Sequence, residues 1–297
     1  MKTKISGAIV ILLILSISFS SCNKEDFTEF NSENFRLVKK LFYYGSSSRE
    51  PHSGFEYTYD KAGNMVKESY YSYMPDTILH SYSEYEYSGN KKVKEKIFDG
   101  RAGSLEFSAY YNYTYHIGDK LAKEELYRTY SNSLINGTYY EYDERVNLVR
   151  EYRYDPDRGI YIDRYYSYDN QNRLILEKNY RRIIMDTEYF RYTYDDYDRL
   201  IKTEYLHDND LYDYVEEIYN GTNKSPEKTL YYGKDGNIAL EYLHFYDEWG
   251  NIVETLLHGC PFFKRKYEND LLIEEISYDS IGGCYAVGIA RYVYEKF

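Results

Sequence analysis

Residues 190–205 read FRYTYDDYDRLIKTEY. Two tyrosines stand two apart (Tyr192, Tyr194), an aspartate follows, then a short polar turn, an apolar pair (Leu200, Ile201) and a charged run. Residues i and i+2 of an extended chain share one face, so the paired aromatics mark a strand. Asp195 suits the first position of a type I turn. Asp198 tolerates the left-handed backbone that closes a bulged hairpin. The stretch is strand, turn, strand.

Much of the chain rewrites this unit. Taking the last tyrosine before each turn as an anchor gives Tyr59, Tyr87, Tyr115, Tyr142, Tyr168, Tyr194, Tyr219, Tyr246 and Tyr267, with a terminal echo at Tyr294, at spacings of 21 to 28 residues. An apolar residue recurs six after the anchor: Met65, Val93, Leu121, Leu148, Leu174, Leu200 and Ile252. Tyr219 opens a degenerate copy, and the turn after Tyr267 is shortened to Glu268-Asn269-Asp270. Residues equivalent to Asp198 are Gly63, Lys91, Asp119, Val146, Asn172 and Gly250. Lysine and valine adopt positive φ poorly, so the turns at Lys91 and Val146 are expected to differ.

This period is too short for a repeated strand–helix pair and fits two strands with two turns. The expected fold is all-β: an up-and-down antiparallel meander of about twenty strands over residues 34–297, as one domain. Open sheets rarely exceed about ten strands without curling, and closure removes exposed edges, so the meander is expected to form a barrel-like shell. Tyr 43 against Phe 13 and Trp 1, with mean hydropathy −0.73, implies a thin wall with few dry positions. Charges fall on both faces mid-strand, as at Lys123, Glu124 and Glu125, or Glu274 and Glu275. A lipid-facing charge costs about 2–4 kcal/mol near the bilayer midplane, so the shell is expected to be water-soluble rather than membrane-spanning.

The units Tyr57-Thr-Tyr59-Asp60-Lys-Ala-Gly63-Asn64-Met65 and Tyr192-Thr-Tyr194-Asp195-Asp-Tyr-Asp198-Arg199-Leu200 resemble the YD-repeat (Rhs-like) family, whose unit is Tyr-x-Tyr-Asp-x-x-Gly-Arg-Leu. The similarity runs over roughly residues 53–278. The chain also resembles bacterial surface lipoproteins of unknown function whose hairpins curl into a porin-like barrel. Rhs proteins are usually much larger shells around a toxin. This chain has no cargo segment, so the toxin reading does not carry over.

Residues 1–21 stand apart from the repeat. Lys2 and Lys4 precede an apolar run from Ile5 to Phe19, shorter than a membrane span, and Ser20 and Ser21 lead to Cys22. This resembles a bacterial lipoprotein signal, which implies a lipidated Cys22 and a membrane attachment through that lipid, with residues 22–33 as a polar tether. Phe19 stands where such signals usually carry leucine. Asn23-Lys24-Glu25-Asp26 resembles the acidic tract that directs some lipoproteins of gut bacteria to the cell surface. The expected location is the bacterial outer membrane, facing outward. Losing Lys2 and Lys4 moves the net charge from −12 to −14 (35 basic against 49 acidic residues), a balance that repels phosphate backbones and excludes nucleic acid as a partner.

Cys260 and Cys284 remain after Cys22, an even pair in a disulfide-permissive compartment. They open strands that are two apart, about 9.6 Å, beyond the ~7 Å Cα limit for a disulfide. Two small buried residues are expected, and a disulfide only if a loop bends. His258 with both cysteines lacks a fourth ligand, and Asp208-Asn209-Asp210 with Asp213 lacks the glycine and distal glutamate of a calcium loop, so no metal and no cofactor is expected. The histidines form no nucleophile motif, and carboxylates this numerous carry no catalytic information. Tyr57/Tyr59, Tyr113/Tyr115, Tyr140/Tyr142, Tyr166/Tyr168 and Tyr192/Tyr194 form an aromatic ladder that could stack sugar rings, but because it follows the repeat it reads first as sheet construction. The leading expectation is a non-enzymatic surface protein that binds a glycan or a protein. The alternative is a structural or assembly part of an outer-membrane complex, with an enzyme acting on envelope polysaccharide ranked third.

Overall fold

Each hairpin is set by the aspartate that follows its anchor tyrosine. Asp60 Oδ1 accepts the backbone N–H groups of Ala62 (2.8 Å) and Asn64 (2.9 Å), and Oδ2 accepts the Asn64 side-chain amide (2.9 Å). The arrangement recurs at Asp143 with Asn147, Asp169 with Arg173, Asp195 with Arg199 and Asp247 with Asn251. Such Asx turns hold the chain in a bend that leaves the next residues free to pair. The closing residue is left-handed at Gly63 (φ 88°), Asp119 (69°), Val146 (67°), Asn172 (62°), Asp198 (61°) and Gly250 (89°). The Lys91 turn does differ: Ser88 pairs with Lys91 across a two-residue connection, with Gly89 at φ 65°. Val146 does not, which corrects the expectation for that turn. The backbone N–H groups of Arg145 and Asn147 donate to Asp143 Oδ1 and impose the common geometry on it.

A computed structural model describes residues 35–44, 49–101, 104–116, 118–182, 184–208, 210–279 and 284–296. The signal, Cys22 and the tether lie outside the described residues. The strands are β1 (Phe35–Tyr44), β2 (Ser53–Tyr59), β3 (Met65–Ser72), β4 (Ile78–Ser88) and β5 (Lys91–Arg101). They continue as β6 (Ser104–Tyr115), β7 (Leu121–Arg128), β8 (Leu134–Tyr142), β9 (Leu148–Asp155) and β10 (Gly159–Tyr168). Next come β11 (Leu174–Arg181), β12 (Asp186–Tyr194), β13 (Leu200–His207), β14 (Asp210–Ile218) and β15 (Lys228–Gly233). The last are β16 (Ile238–Tyr246), β17 (Ile252–Leu257), β18 (Cys260–Glu268), β19 (Leu271–Asp279) and β20 (Tyr285–Lys296).

Every strand pairs antiparallel with the next, and β20 returns to β1 over a register running from Phe35↔Lys296 to Tyr44↔Gly288. The result is a closed, all-β, 20-stranded antiparallel barrel. A bulge lies immediately before most anchors, as at Thr58/Tyr59, Thr114/Tyr115 and Thr193/Tyr194. Bulges add local twist, and here one recurs in nearly every hairpin to help the ribbon curl. No helix among the described residues is long and apolar enough to cross a membrane.

The two faces of the wall are both polar but differently so. Outside run ion pairs such as Lys96–Glu86 (2.5 Å), Lys123–Glu125 (2.9 Å), Arg150–Asp163 (2.8 Å), Lys202–Glu204 (3.0 Å), Lys228–Glu241 (2.6 Å) and Lys264–Glu254 (2.9 Å). Inside, tyrosine, leucine and glutamate alternate, with Tyr192 8 % and Glu177 9 % exposed; Tyr43, Leu206 and Ile289 are as deeply buried on the outer face. Seven apolar side chains are buried among the described residues. The molecule has a wall and no conventional core.

Candidate functional site

The repeated tyrosines are consumed by the wall. Anchor hydroxyls donate to a backbone carbonyl on the preceding strand: Tyr59 to Leu37 (2.7 Å), Tyr115 to Lys92 (2.7 Å), Tyr142 to Leu121 (3.0 Å), Tyr168 to Leu148 (2.9 Å) and Tyr194 to Leu174 (2.9 Å). Tyr87, Tyr219, Tyr246 and Tyr294 do the same. Phenylalanine could supply the ring but not this bond, which explains the excess of tyrosine.

The tyrosine two before each anchor belongs to a second belt deeper in the barrel. Tyr85 donates to Glu68 (3.1 Å), Tyr113 to Glu95 (2.9 Å), Tyr140 to Glu124 (3.2 Å), Tyr166 to Glu151 (3.5 Å) and Tyr192 to Glu177 (3.3 Å). In register, Tyr57 faces Glu68, Tyr85 faces Glu95, Tyr113 faces Glu124, Tyr140 faces Glu151 and Tyr166 faces Glu177. Tyrosine and glutamate thus alternate around the lumen from β2 to β12. Burial, followed by the adjacent carboxylates, raises these phenols; Tyr57 is pushed up to about 12. They remain neutral donors throughout the physiological range.

The belt breaks on β13 to β18. The glutamate position becomes Thr203, then Thr229, then Thr255, and the tyrosine position becomes Glu217, then His244, then Arg265. Thr229 Oγ1 donates to Glu217 Oε2 (2.7 Å) and lies 2.9 Å from His244 Nε2, while His244 Nδ1 lies 3.0 Å from Thr255 Oγ1. Thr229 is 7 % exposed and Thr255 1 %. Glu217 and His244 are part-buried, set over the threonines on the lumenal side. Burial lifts the Glu217 carboxyl to about 7 against the Thr229 hydrogen bond, lifts Asp213, four residues earlier on the same face of β14, to about 6, and lowers His244. No counter-charge offsets the burial of any of the three. Sequence reading passed over this group because its members stand far apart in the chain. The available signal was the substitution of Tyr by Glu, His and Arg at one phase of the repeat.

The remaining predicted residues fall elsewhere. Cys260 and Cys284 are joined, with Cα atoms 5.4 Å apart. This corrects the expectation of two small buried residues: Cys284 is exposed, takes φ 60° just ahead of β20, and donates its N–H to Asp279 (2.8 Å), so the chain bends across the end of β19 toward Cys260. Both thiols are thereby removed from any metal site with His258. Asp213 lies within β14 rather than in the loop with Asp208, and Asn209 lies outside the described residues. Asp208 instead approaches His207 and Asp186, all three presenting ligand atoms within 4.8 Å of one another. Arg181 already bonds both Asp186 (2.7 Å) and Glu188, so a guanidinium supplies the positive charge there.

The two rims contrast. At the turn end, side chains link neighbouring hairpins: Asn147 to Asn172 (3.2 Å), Arg173 to Asp198 (2.8 Å) and Arg199 to the carbonyls of Gly221 (2.8 Å) and Asn223 (2.9 Å). The opposite rim carries the non-repeating loops and exposes large apolar side chains on most of them. Tyr44 is 73 % exposed, Met74 58 %, Tyr130 83 %, Met185 84 %, Ile238 53 % and Tyr285 55 %. An open cleft of about 540 Å³ beside Phe107, Thr129 and Tyr130 sits on this rim.

No protein-family model matches the sequence, and no curated protein does. Among solved structures, the chain is similar to the Photorhabdus luminescens Tc holotoxin pore, with TM-score 0.49 and 14 % identity over 77 % of this chain and 12 % of that one. It spans only 14 % of the chain in a TcdB2-TccC3-Cdc42 complex, at TM-score 0.46 and 12 % identity over 82 % of its own length. A porin-like protein from Bacteroides uniformis is similar over nearly its whole length, 87 % of this chain and 98 % of that one, with 9 % identity and TM-score 0.38.

Proposed function

We propose that this chain is a lipid-anchored protein of the bacterial cell surface whose barrel stands in water and binds a glycan or a protein, without enzymatic activity, through its non-repeating rim. The observation that carries this reading is the contrast between the rims. Large apolar side chains are exposed in most loops of the variable end, including Tyr44, Met74, Tyr130, Met185, Ile238 and Tyr285, whereas at the opposite end they are exposed in a few turns only, at Val146, Tyr197 and Trp249, among self-satisfied aspartates. Large exposed apolar surface on a polar protein marks a contact surface. The ion pairs around the outer wall favour water over lipid there, since each lipid-facing Lys or Arg near the bilayer midplane costs about 2–4 kcal/mol. Cys22 supplies the attachment. The repeated tyrosines do not serve as the ligand platform, because their hydroxyls are committed to the wall.

The test is a glycan array together with a pull-down from envelope extracts, using mature protein and a rim variant carrying Tyr130→Ser and Met185→Ser. Binding by the parent that the variant loses supports the reading. Two empty screens, or turnover of an envelope polysaccharide, would refute it.

A further inference from the structure

The break in the Tyr–Glu belt holds a hydrogen-bonded chain with two self-consistent directions. The distances from Glu217 through Thr229 and His244 to Thr255 are 2.7, 2.9 and 3.0 Å, and both threonines are sealed beneath the lumenal surface. A hydroxyl has one proton, so Thr229 can donate to only one neighbour and must accept from the other. With Glu217 ionised, Thr229 donates to the carboxylate, His244 donates from Nε2 to Thr229, and Thr255 donates to Nδ1. With Glu217 protonated, the carboxyl donates to Thr229, Thr229 donates to Nε2, and His244 donates from Nδ1 to Thr255. With the ring neutral and the carboxyl proton on Oε2, any mixed arrangement sets two donors or two acceptors against each other in a buried site, a penalty of about 1–3 kcal/mol, whereas a proton on Oε1 would leave Oε2 accepting from Thr229 and the direction unchanged.

We propose that Glu217, Thr229, His244 and Thr255 form a proton-coupled switch in the lumen wall, in which ionisation of Glu217 moves the His244 ring proton from Nδ1 to Nε2. The protons balance along the chain. The Glu217 proton passes to Thr229 Oγ1, the proton already on Thr229 passes to Nε2, the Nδ1 proton passes to Thr255 Oγ1, and the proton Thr255 carried is released to solvent. One proton is released, the lumen gains one negative charge, and the imidazole stays neutral.

The surroundings leave the pair to set its own titration. Asp213 is the other titratable group on the lumenal face of β14. From β13 come Thr203 and Tyr205, the latter donating to Glu188 (2.8 Å). From β15 come Thr229, Tyr231 and, exposed at the turn end, Glu227. From β16 comes Tyr246, whose hydroxyl donates to the Pro226 carbonyl (2.6 Å). Facing His244 are Thr229, Thr255 and Tyr242, and on β18 Arg265 is held by Glu275 (2.7 Å). Lys202, Lys228 and Lys264 are paired with Glu204, Glu241 and Glu254 on the outer face. Burial places the Glu217 titration near 7 and depresses that of His244, so the carboxyl and not the ring ionises across neutrality.

The experiment is nitrogen NMR of ¹⁵N-histidine-labelled mature protein between pH 5 and 8.5, with His244 assigned by loss of its signals in His244→Gln. Asp213→Asn serves as the background, so that its own titration does not intrude. The expected result is a neutral ring at every pH that changes from the Nδ1–H to the Nε2–H form through one midpoint. Thr229→Ser should keep the change, and Thr229→Val and Glu217→Gln should each abolish it. Glu217→Gln keeps Thr229 in place and retains a side-chain oxygen to accept from it, so it reads the coupling even where Thr229→Val fails to fold. A single tautomer at all pH values, an imidazolium in this range, or a change that survives Glu217→Gln overturns the proposal.

Discussion

Val146 is the residue on which the turn geometry can be tested most directly. It sits at φ 67° in the position that its counterparts fill with Gly63, Asp119, Asn172, Asp198 and Gly250. A left-handed backbone costs a residue with a Cβ about 1–2 kcal/mol, least for Asn and Asp and most for β-branched side chains. The valine gains little in return, since it is 52 % exposed. Val146→Asn therefore removes about 1 kcal/mol of strain at almost no packing cost. Val146→Gly removes more strain but gives back about 0.5–1 kcal/mol through the extra freedom of the unfolded chain, leaving a smaller gain. For a chain of this size 1 kcal/mol is worth about 2–4 °C in Tm. The reciprocal change, Asn172→Val, should lower Tm by at least as much, because it adds the strain and also removes the acceptor for Asn147 (3.2 Å). Differential scanning calorimetry of the three variants decides it. If Val146→Asn leaves Tm unchanged or lowers it, the left-handed turn at this position is wrong.

Four further outcomes follow from the wall. Tyr168→Phe deletes the bond to the Leu148 carbonyl and should cost about 0.5–1.5 kcal/mol in urea unfolding, whereas Tyr197→Phe, at a 64 % exposed turn position, should cost almost nothing. Replacing Cys260 and Cys284 by serine opens a loop of sequence separation 24 and should lower stability by about 3 kcal/mol, visible as the same Tm loss in reduced parent and untreated variant. Stability should fall as pH rises from about 4 through about 7, because the Asp213 and Glu217 carboxyls are both raised on folding and the folded state holds their protons longer; Glu217→Gln should remove the upper part of that limb and Asp213→Asn the lower. At the acid end, Asp60, Asp143, Asp169 and Asp195 are lowered by hydrogen bonds to their turns, so the stability they add is lost as pH falls below their ordinary value near 3.8.

The strand count, the anchors and the meander were legible because one unit recurs and its turn chemistry is local: Asp60 bonds residues two and four ahead of it. Curling into a barrel-like shell was anticipated from the instability of an open sheet, but that the shell closes through β1–β20, and in which register, came only with the structure. The fate of the tyrosines was half legible. Their spacing marks a strand face, but the hydroxyl partners are carbonyls 19 to 23 residues away, fixed by barrel stagger rather than by sequence distance. Cys260 and Cys284 were misjudged because ideal strand spacing was applied to a residue that leaves the sheet. Val146 was misjudged because a side chain's own preference was weighed against a turn that its neighbours had already imposed.

Why both faces could be polar is the point at which the sequence offered a paradox and the structure an answer. A soluble barrel is expected to alternate apolar and polar residues, one face for the core and one for water. Here the inward positions alternate tyrosine with glutamate, so burial of apolar area cannot be the main support, and few side chains are dry. Hydrogen bonds between hairpins take that place, in a ladder at the turn end (Tyr59, Tyr115, Tyr168) and a belt within (Tyr85–Glu68 to Tyr192–Glu177). Such a wall tolerates a polar substitution only where new partners close the network. On β14 to β17 they do, with Glu217, Thr229, His244 and Thr255 bonded in sequence. A wall that needed only to stand could have kept tyrosine and glutamate there too. The exchange of a fixed donor–acceptor belt for one that can reverse its direction is what separates this side of the lumen from the rest.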